Sequence, residues 1–210
     1  MAEQYGEIEK KLFRQSITVA GVDEVGRGAL AGPVYAGAVI LSPKRLFALP
    51  AAELSLVRDS KALTRVQRSK SVSIVEKIAV SSAVERAETE EIEKLGIVQA
   101  TFLAMKRAIA KLSQDFGLLL IDGKFPIPDF PSPQKSIIGG DGSCYSIAAA
   151  SILAKEARDQ YMREQAPQFP KYGFDAHVGY ATPQHLRALQ KEGACSLHRK
   201  NFAPMRNSTL

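Results

Sequence analysis

The sequence predicts an α/β layered domain followed by a small helical C-terminal extension. Short apolar segments rich in β-branched residues alternate with longer segments of helical period, which is typical of a sheet covered by helices. The length of 210 residues suits one main domain, and 45% hydrophobic with 24% charged residues is the composition of a protein with a buried core. These values exclude a disordered chain, a collagen-like repeat and a disulfide scaffold.

Four segments are predicted to be strands, three because they are short and apolar and Ile78–Ala87 because it alternates loosely between apolar and polar residues. The first leads directly into Gly26 and Gly28, and the last leads into Asp122 and Gly123. In chain order the predicted strands are Ile17–Asp23, Val34–Leu41, Ile78–Ala87 and Leu118–Ile121.

Three segments are predicted to be helices: Ile97–Leu112, the alanine-rich Ser143–Glu164, and Pro183–Lys191. Thr182 is placed to cap the third helix, with proline at its first position and a glycine after its end. The four prolines of Lys124–Pro133 predict a loop. We therefore expect a main domain over residues 1–165 and a basic helical extension over 166–210 that packs on it.

The charge of the chain is unevenly distributed. The formal net charge is +6, and residues 166–210 carry six basic residues against two acidic ones. A basic end on a nearly neutral body suits a polyanion such as nucleic acid, whose phosphates attract lysine and arginine. The same charge is also compatible with a solvated basic surface that binds nothing.

The cysteines and the hydropathy pattern indicate a cytoplasmic protein. Cys144 and Cys195 are too few for a disulfide framework and lack metal-binding spacing, so reduced thiols are expected. No apolar run approaches the roughly 18–20 residues of a membrane span, and Met1–Lys11 lacks the apolar core of a signal peptide. No membrane association is expected.

Acidic residues stand at the ends of several apolar elements. Asp23 and Glu24 close the first strand, Asp122 closes the fourth, and Asp141 precedes the long helix. Any single one of these would be a turn or cap residue in most proteins. Together they suggest a site of oxygen ligands for Mg²⁺ or Mn²⁺. Two such ions about 3.5–4 Å apart can activate water and stabilise the leaving oxygen of a phosphodiester.

Other chemistries are less well supported. The three histidines are not spaced as zinc ligands and are more simply structural or surface residues. Ser143 and Cys144 have no paired base that the sequence reveals. The segment GVDEVGRG matches neither a dinucleotide-binding nor a P-loop pattern. A metal-dependent nuclease is therefore the favoured class.

The sequence also resembles the ribonuclease HII family, in motifs that occur in the same order from about residue 17 to 204. The resemblance is carried by DEVGRG at 23–28 with the LAGPV that follows, DSKAL at 59–63, GIVQAT at 96–101, LIDG at 120–123, Gly140-Asp141, IAAASILAK at 147–155 with Arg158-Asp159, GYAT at 179–182, and His198-Arg199. A single DExGRG would be a weak match, but this ordered set is specific.

The resemblance implies a ribonuclease H-like fold, with a five-stranded mixed sheet flanked by helices and a helical C-terminal extension. It implies an endonuclease that cuts the RNA strand of RNA–DNA hybrids. It also implies cleavage on the 5′ side of single ribonucleotides in duplex DNA, leaving a 3′-hydroxyl and a 5′-phosphate. Such enzymes act as monomers in DNA replication and repair, and the sequence does not reveal whether a clamp or another partner recruits this one.

The family's functional residues can be transferred to matching positions. The resemblance implies that Asp23, Glu24, Asp122 and Asp141 are the catalytic acids and hold Mg²⁺ or Mn²⁺, with two ions during catalysis. The remaining matches are expected to bind substrate: Gly26, Arg27 and Gly28 at the ribose 2′-hydroxyl, Tyr180 stacked on a neighbouring sugar, and Lys61 and Ser151 within their matching motifs.

Three positions depart from the family pattern, and two alternatives remain. Gly139, Ser143 and Val178 stand where the family often has basic residues, so phosphate contacts are expected from elsewhere. The related ribonuclease HIII carries a large N-terminal substrate-binding domain, and only 22 residues precede Asp23 here. A catalytically inactive nucleic-acid-binding module would be expected to lack one of the acids, and all four are present.

Overall fold

The computed structural model describes residues 5–58 and 64–206. Within them, five strands form one mixed sheet in the order β3-β2-β1-β4-β5. β1 is antiparallel to β2 and parallel to β4, while β2–β3 is antiparallel and β4–β5 is parallel. The strands are β1 Val19–Val25, β2 Val34–Leu41, β3 Ala79–Ala87, β4 Leu118–Asp122 and β5 Gln134–Ile137. The expected fold class is confirmed.

Helices cover both faces of this sheet. They are α1 Glu7–Arg14, α2 Pro43–Phe47, α3 Ala51–Leu54, α4 Arg65–Ile78, α5 Thr89–Leu95, α6 Ile97–Ala110, α7 Tyr145–Gln165, α8 Phe174–His177, α9 Pro183–Glu192 and α10 Ala203–Arg206. Two short 3₁₀ turns, Gly140–Gly142 and Ala166–Gln168, flank α7. In the described part of the chain, no helix combines the length and apolar character needed to span a membrane.

Alternation along β1 divides the core between α6 and α7. Ala20 and Val22 pack with Ala100 and Ala104 of α6 on one face. Val19, on the other face, packs near the beginning of α7. Successive strand residues point to opposite faces, so Asp23 lies on the α7 side and Glu24 on the α6 side. The sheet therefore presents its two adjacent acids to different helices.

Glycine and alanine bring α7 unusually close to the sheet. A Cβ on Gly21 would collide with the backbone of Ser146, and one on Gly37 would collide with the carbonyl of Ala150. With no side chain at these two strand positions, the alanine-rich half of α7 lies directly on β1 and β2. This close approach positions the beginning of α7 beside the end of β1.

The first turn of α7 is capped by a buried side chain from α1. The carboxylate of Glu9 is fully buried and accepts hydrogen bonds from the backbone amides of Tyr145 and Ser146, at 2.9 and 2.6 Å. It also accepts one from the hydroxyl of Ser146, at 2.7 Å. Amides at the start of a helix have no partner within the helix, and a negative charge there is favoured by the helix dipole. The contact fixes the beginning of α7 against α1.

The segment after α7 packs on the β1–β2 connection and on α7. Tyr172 and Phe174 form a buried cluster with Ala31 and Met162. Thr182 caps α9 by accepting a hydrogen bond from the amide of His185 at 3.2 Å, as the sequence predicts. The strand β5 and the helices α1 and α4 were not predicted from the residue pattern.

Candidate active site

Three carboxylates lie close together near the C-terminal ends of the neighbouring strands β1 and β4. Val22 pairs with Ile121 in the parallel register, so the residues that follow them, Asp23 and Asp122, lie side by side. Asp23, Glu24 and Asp122 each offer a carboxylate oxygen, and these oxygens lie within 4.8 Å of one another. Asp23 is 3% exposed and the other two are half-buried.

Asp23 and Glu24 converge although they lie on opposite faces of β1. The predicted strand ended at Asp23, but β1 continues to Val25. The carboxylate of Asp23 instead turns along the strand and accepts a hydrogen bond from the backbone amide of Glu24 at 2.7 Å. Glu24 lines a small cavity beside Val98 and Thr101 of α6. The carboxylates of Asp23 and Glu24 therefore approach each other from opposite faces of β1.

Asp122 is tied to the turn that carries Asp141. Its Oδ1 accepts a hydrogen bond from the amide of Gly140 at 2.7 Å. Asp141 follows in the 3₁₀ turn, is 8% exposed, and accepts a hydrogen bond from the hydroxyl of Tyr5 at its backbone carbonyl, at 3.1 Å. Asp141 is not one of the three clustered carboxylates, but it lies close enough for its charge to act on Asp23.

The electrostatics of the cluster favour a bound cation. Burial raises the pKa of Asp23 well above its usual range, and the charges of Glu24, Asp122 and Asp141 raise it further. Arg27 approaches Glu24 at 3.7 Å, but its side chain is 52% exposed. Several carboxylates in one partly buried place repel each other unless a cation neutralises them, and an all-oxygen set suits Mg²⁺ or Mn²⁺. The residues present therefore fit a divalent metal.

Ser151 lies beneath the cluster. It is fully buried in α7, and its side chain hydrogen-bonds Asp23, which lowers the pKa of that carboxyl against the effect of burial. In the structure Ser151 contacts a catalytic candidate, and its expected contact with substrate stays a prediction. Lys61, the other residue expected from a matching motif, lies outside the described residues.

The glycine loop, residues 26–28 at the end of β1, contains two glycines with different surroundings. Gly26 has a φ of 90°, and a Cβ there would collide with the Nε atom of Arg158. Gly28 would meet nothing within 4 Å, so its backbone is open to an approaching ligand. Arg27 lies between them, and its exposed side chain lines a cleft beside the loop.

Two buried arginines hold this loop. Arg158 donates hydrogen bonds to the carbonyls of Ala31, Pro33 and Val178 at 2.9, 3.1 and 3.0 Å. Arg199 donates to the carbonyls of Gly32 and Arg27 at 2.9 and 3.0 Å. Burial lowers the pKa of both, that of Arg199 to about 9. These guanidinium groups hold the backbone of the loop and of the residues that follow it in place.

A cleft of about 590 Å³ extends from Glu24 along the glycine loop to Tyr180. The half-buried Tyr180 ring faces the Nζ atom of Lys155 and the guanidinium of Arg158, at 5.3 and 5.2 Å from the ring centroid. Asp159 accepts from Lys155 at 2.7 Å and from Arg68 at 3.4 Å. Sequence reasoning missed Arg68 and Asp159 as site residues, and only the four-residue spacing of Lys155 and Asp159 on a helix could have indicated their pairing.

The exposed cations of the C-terminal segment lie outside the cleft: Lys171, Arg187, Lys191 and Lys200 are exposed, and none of them lines it. Arg199 is fully buried. Lys171 and Lys191 both approach Glu192, at 2.7 and 3.8 Å. The cations that line the cleft come instead from earlier in the chain, namely Arg27, Arg68 and Lys155. The net charge of residues 166–210 was therefore a poor guide to where the cations of the cleft lie.

Comparisons with known proteins agree with this architecture. The sequence model described as Ribonuclease HII matches residues 20–205. The ribonuclease HII of Caldicellulosiruptor bescii is 43% identical over 201 residues, which are 95% of this chain and 94% of that protein. The ribonuclease H2 structure from Pyrococcus horikoshii OT3 superposes with a TM-score of 0.74 at 22% identity, covering 90% of this chain and 96% of that one.

A second solved structure extends the likeness to a neighbouring family. Bst ribonuclease HIII in complex with Mn²⁺ superposes with a TM-score of 0.69 at 19% identity, covering 91% of this chain and 68% of that one. At such identities the structures establish the shared fold alone. The sequence match over residues 20–205 decides between the two families, and this chain belongs to the ribonuclease HII family, whose members are enzymes of the ribonuclease H class.

Proposed function

We propose that this protein is a cytoplasmic, metal-dependent endonuclease that cuts the RNA strand of RNA–DNA hybrids. We also propose that it cuts on the 5′ side of single ribonucleotides in duplex DNA and leaves 3′-hydroxyl and 5′-phosphate ends. Its role would be the removal of ribonucleotides during DNA replication and repair. The observation that carries the proposal is the meeting of Asp23, Glu24 and Asp122 at one end of a cleft that holds an open glycine loop and an aromatic ring.

Asp23, Glu24, Asp122 and Asp141 would hold Mg²⁺ or Mn²⁺, with two ions during catalysis. The Mn²⁺ complex of a ribonuclease HIII with the same fold supports this assignment. When bound, such ions lower the pKa of water and stabilise charge on a phosphodiester. The chain's own contribution is to keep the acids in place: Ser151 and the amide of Glu24 orient Asp23, and the amide of Gly140 orients Asp122.

The glycine loop is suited to distinguish a ribose from a deoxyribose. The 2′-hydroxyl both donates and accepts hydrogen bonds, so exposed backbone groups of Gly26, Arg27 and Gly28 can bind it where a Cβ would obstruct the sugar. Tyr180 stands across the cleft and would stack on a neighbouring sugar. Arg158 donates to carbonyls just after the glycine loop, and its guanidinium lies over the ring of Tyr180. One side chain therefore links the loop to Tyr180.

The phosphate backbone would follow the cations of the cleft. Arg68 and Lys155 are both held by Asp159, so their side chains lose little freedom when a phosphate binds. These residues can replace the basic helpers absent at positions 139, 143 and 178. Lys61 remains a proposed contact on the resemblance alone. We take the enzyme as a monomer acting on one duplex.

The function is tested with three labelled duplexes: one ribonucleotide in DNA, an RNA–DNA hybrid, and all-DNA. With Mg²⁺ or Mn²⁺ the purified protein should cut the first two and leave the third intact, and a chelator should stop cleavage. Mapping the products should place the cut on the 5′ side of the ribonucleotide. Failure to cut both RNA-containing duplexes would refute the proposal and favour a binding module.

Tyr180→Ala should slow cleavage at a single ribonucleotide by roughly ten- to a hundredfold, because an aromatic stacking contact is worth about 1–3 kcal/mol. Tyr180→Phe is the matched control, since it keeps the ring and removes only the hydroxyl. Rates are compared under saturating and limiting substrate, after thermal melts show that both variants fold. Equal rates for Tyr180→Ala and the wild type would remove Tyr180 from the site.

A further inference from the structure

Three buried histidines lie in the segment around Tyr180, and none of them lines the cleft. His177, His185 and His198 are 7%, 0% and 0% exposed. The rings of His177 and His185 stack with centroids 4.4 Å apart, and those of His185 and His198 are 5.2 Å apart. The fully buried Phe174 contacts all three, with centroid distances of 5.9, 5.5 and 5.8 Å. Nothing in the proposed chemistry uses these rings.

Hydrogen bonds join two of these rings into one continuous chain. His185 Nδ1 lies 2.9 Å from the carbonyl oxygen of Tyr180, and His185 Nε2 lies 3.0 Å from His198 Nε2. His198 Nδ1 accepts from the amide of Cys195 at 2.9 Å and lies 3.2 Å from the Cys195 sulfur. We call this chain, from Cys195 through His198 and His185 to the Tyr180 carbonyl, the histidine relay.

The partners at the two ends determine every proton in the histidine relay. A carbonyl can only accept, so His185 Nδ1 must carry a hydrogen. A backbone amide can only donate, so His198 Nδ1 must be bare. Neutral rings then leave His185 Nε2 as an acceptor and His198 Nε2 as a donor, and the central link is satisfied. An added proton on His185 would set two N–H groups against each other.

The histidine relay is continuous with the glycine loop. The amide of Tyr180 donates to the His177 carbonyl at 3.0 Å, and the carbonyl of Gly179 accepts from the amide of Leu30 at 2.9 Å. The residue after His198 is Arg199, whose amide donates to the Leu30 carbonyl and whose guanidinium donates to the carbonyl of Arg27. The Tyr180 backbone and the loop are thus anchored to one buried framework.

We propose that His185 and His198 are positioning residues for cleavage. Through a chain of neutral rings with one fixed hydrogen-bond direction, they hold the Tyr180 backbone in a set orientation to the glycine loop. The inference rests on the proposed function, in which Tyr180 contacts the sugar. It goes beyond that function by assigning a role to residues that touch neither substrate nor metal.

The surroundings keep the histidine relay neutral at working pH. Burial lowers the pKa of His185, and burial together with the neighbouring His185 lowers that of His198 to about 4. The other ionisable groups facing these rings are His177, the Cys195 thiol and the Tyr172 ring, with Arg199 following His198. Burial raises the pKa of the Cys195 thiol as well, so it stays protonated.

A pair of amide variants separates positioning from general stability. His185→Asn can place an amide donor near the former Nδ1 and keep the bond to the Tyr180 carbonyl. His185→Gln can place its side-chain carbonyl oxygen near the former Nε2 and accept the bond from His198 Nε2 instead. Each variant loses one of the two bonds, so both should lower the melting temperature by similar amounts.

Cleavage of the single-ribonucleotide duplex should distinguish the two variants. We expect kcat to fall roughly tenfold or more in His185→Gln and much less in His185→Asn, with KM nearly equal, because misplacement of a positioning group acts on the reacting geometry. Equal kcat values in the two folded variants would overturn the proposal. If the wild type does not cut this duplex at all, the proposed function fails, and the tautomers below still report on the relay.

The wild-type protein provides a test that needs no variant. With ¹⁵N-labelled histidine, NMR should find His185 protonated at Nδ1 and His198 at Nε2, and neither ring should titrate near the ordinary pKa of 6.5. Opposite tautomers, or a titration of either ring near neutral pH, would contradict the histidine relay. The result does not depend on metal or substrate.

Discussion

Asp23→Asn should reduce cleavage by roughly a thousandfold or more, because loss of a metal-ligating carboxylate removes several kcal/mol of transition-state stabilisation. The side chain keeps its size, so the fold should be retained. Titration with Mn²⁺ should show weaker binding at the same time. The matched control is Asp115→Asn, which makes the same chemical change at an exposed position outside the cleft and should leave the rate unaltered.

The same substitution should raise the stability of the metal-free protein. Burial and the charges of Glu24, Asp122 and Asp141 raise the pKa of Asp23 above its ordinary value of 3.8. The unfolded chain therefore loses this proton at lower pH than the folded one, and the free energy of unfolding falls as pH rises from 3.8 to the raised pKa. An amide does not ionise, so this loss should disappear in Asp23→Asn.

Thermal melts in a chelator at pH 7–8 measure the second effect. A higher melting temperature for Asp23→Asn than for the wild type, together with lost cleavage, is the expected pair of results. Retained cleavage would remove Asp23 from the reaction. A lower melting temperature would mean that its charge stabilises the fold without metal, in conflict with the electrostatics of the cluster.

Gly26→Ala should destabilise the folded protein by about 3 kcal/mol or more. The backbone at this position is left-handed, which costs a non-glycine residue roughly 1–3 kcal/mol. The added methyl group would also displace the buried guanidinium of Arg158, and leaving its carbonyl partners unsatisfied costs roughly 1–3 kcal/mol each. Cleavage should fall as well, because Arg158 braces both the loop and Tyr180.

Gly28→Ala is the matched comparison, two residues away in the same loop. Its φ is not in the left-handed range, and a Cβ there meets nothing within 4 Å. Its free energy of unfolding should therefore stay within about 0.5 kcal/mol of the wild type. Urea unfolding of both variants measures the contrast. Equal stability of the two alanine variants would show that the clash with Arg158 is relieved by a small movement.

The residue pattern was a good guide to the centre of the sheet and a poor one to its edge. β1, β2 and β4 are largely buried, so their sequences are continuously apolar apart from the acids near the ends of β1 and β4, and they are easily recognised. β5 consists of Gln134–Ile137, which is short, mostly polar and follows a proline-rich loop. Its place depends on pairing with β4, which no local pattern encodes. The resemblance to a known family, not the periodicity, supplied the fifth strand.

The acids of the site could be predicted, but its supports could not. Asp122 ends β4 and Asp23 lies near the end of β1, and parallel neighbours bring such positions together. Arg158 and Arg199 are fully buried, although arginine is mostly exposed in proteins. Their hydrogen-bond partners lie up to 172 positions away in the chain, so neither burial nor partner is visible locally.

The position of Arg199 also sets the order in which the site can form during synthesis. β1 ends at Val25, but its parallel partner β4 begins only at Leu118, and the guanidinium that holds the carbonyl of Arg27 comes later still. Contacts so distant in sequence form slowly, and a growing chain must wait for them. A nascent chain that has completed β4 still lacks the Gly140 amide, Ser151 and Arg199, which hold Asp122, Asp23 and the carbonyl of Arg27. The loop that would face the sugar in the proposed function is therefore held only after Arg199 has been synthesised.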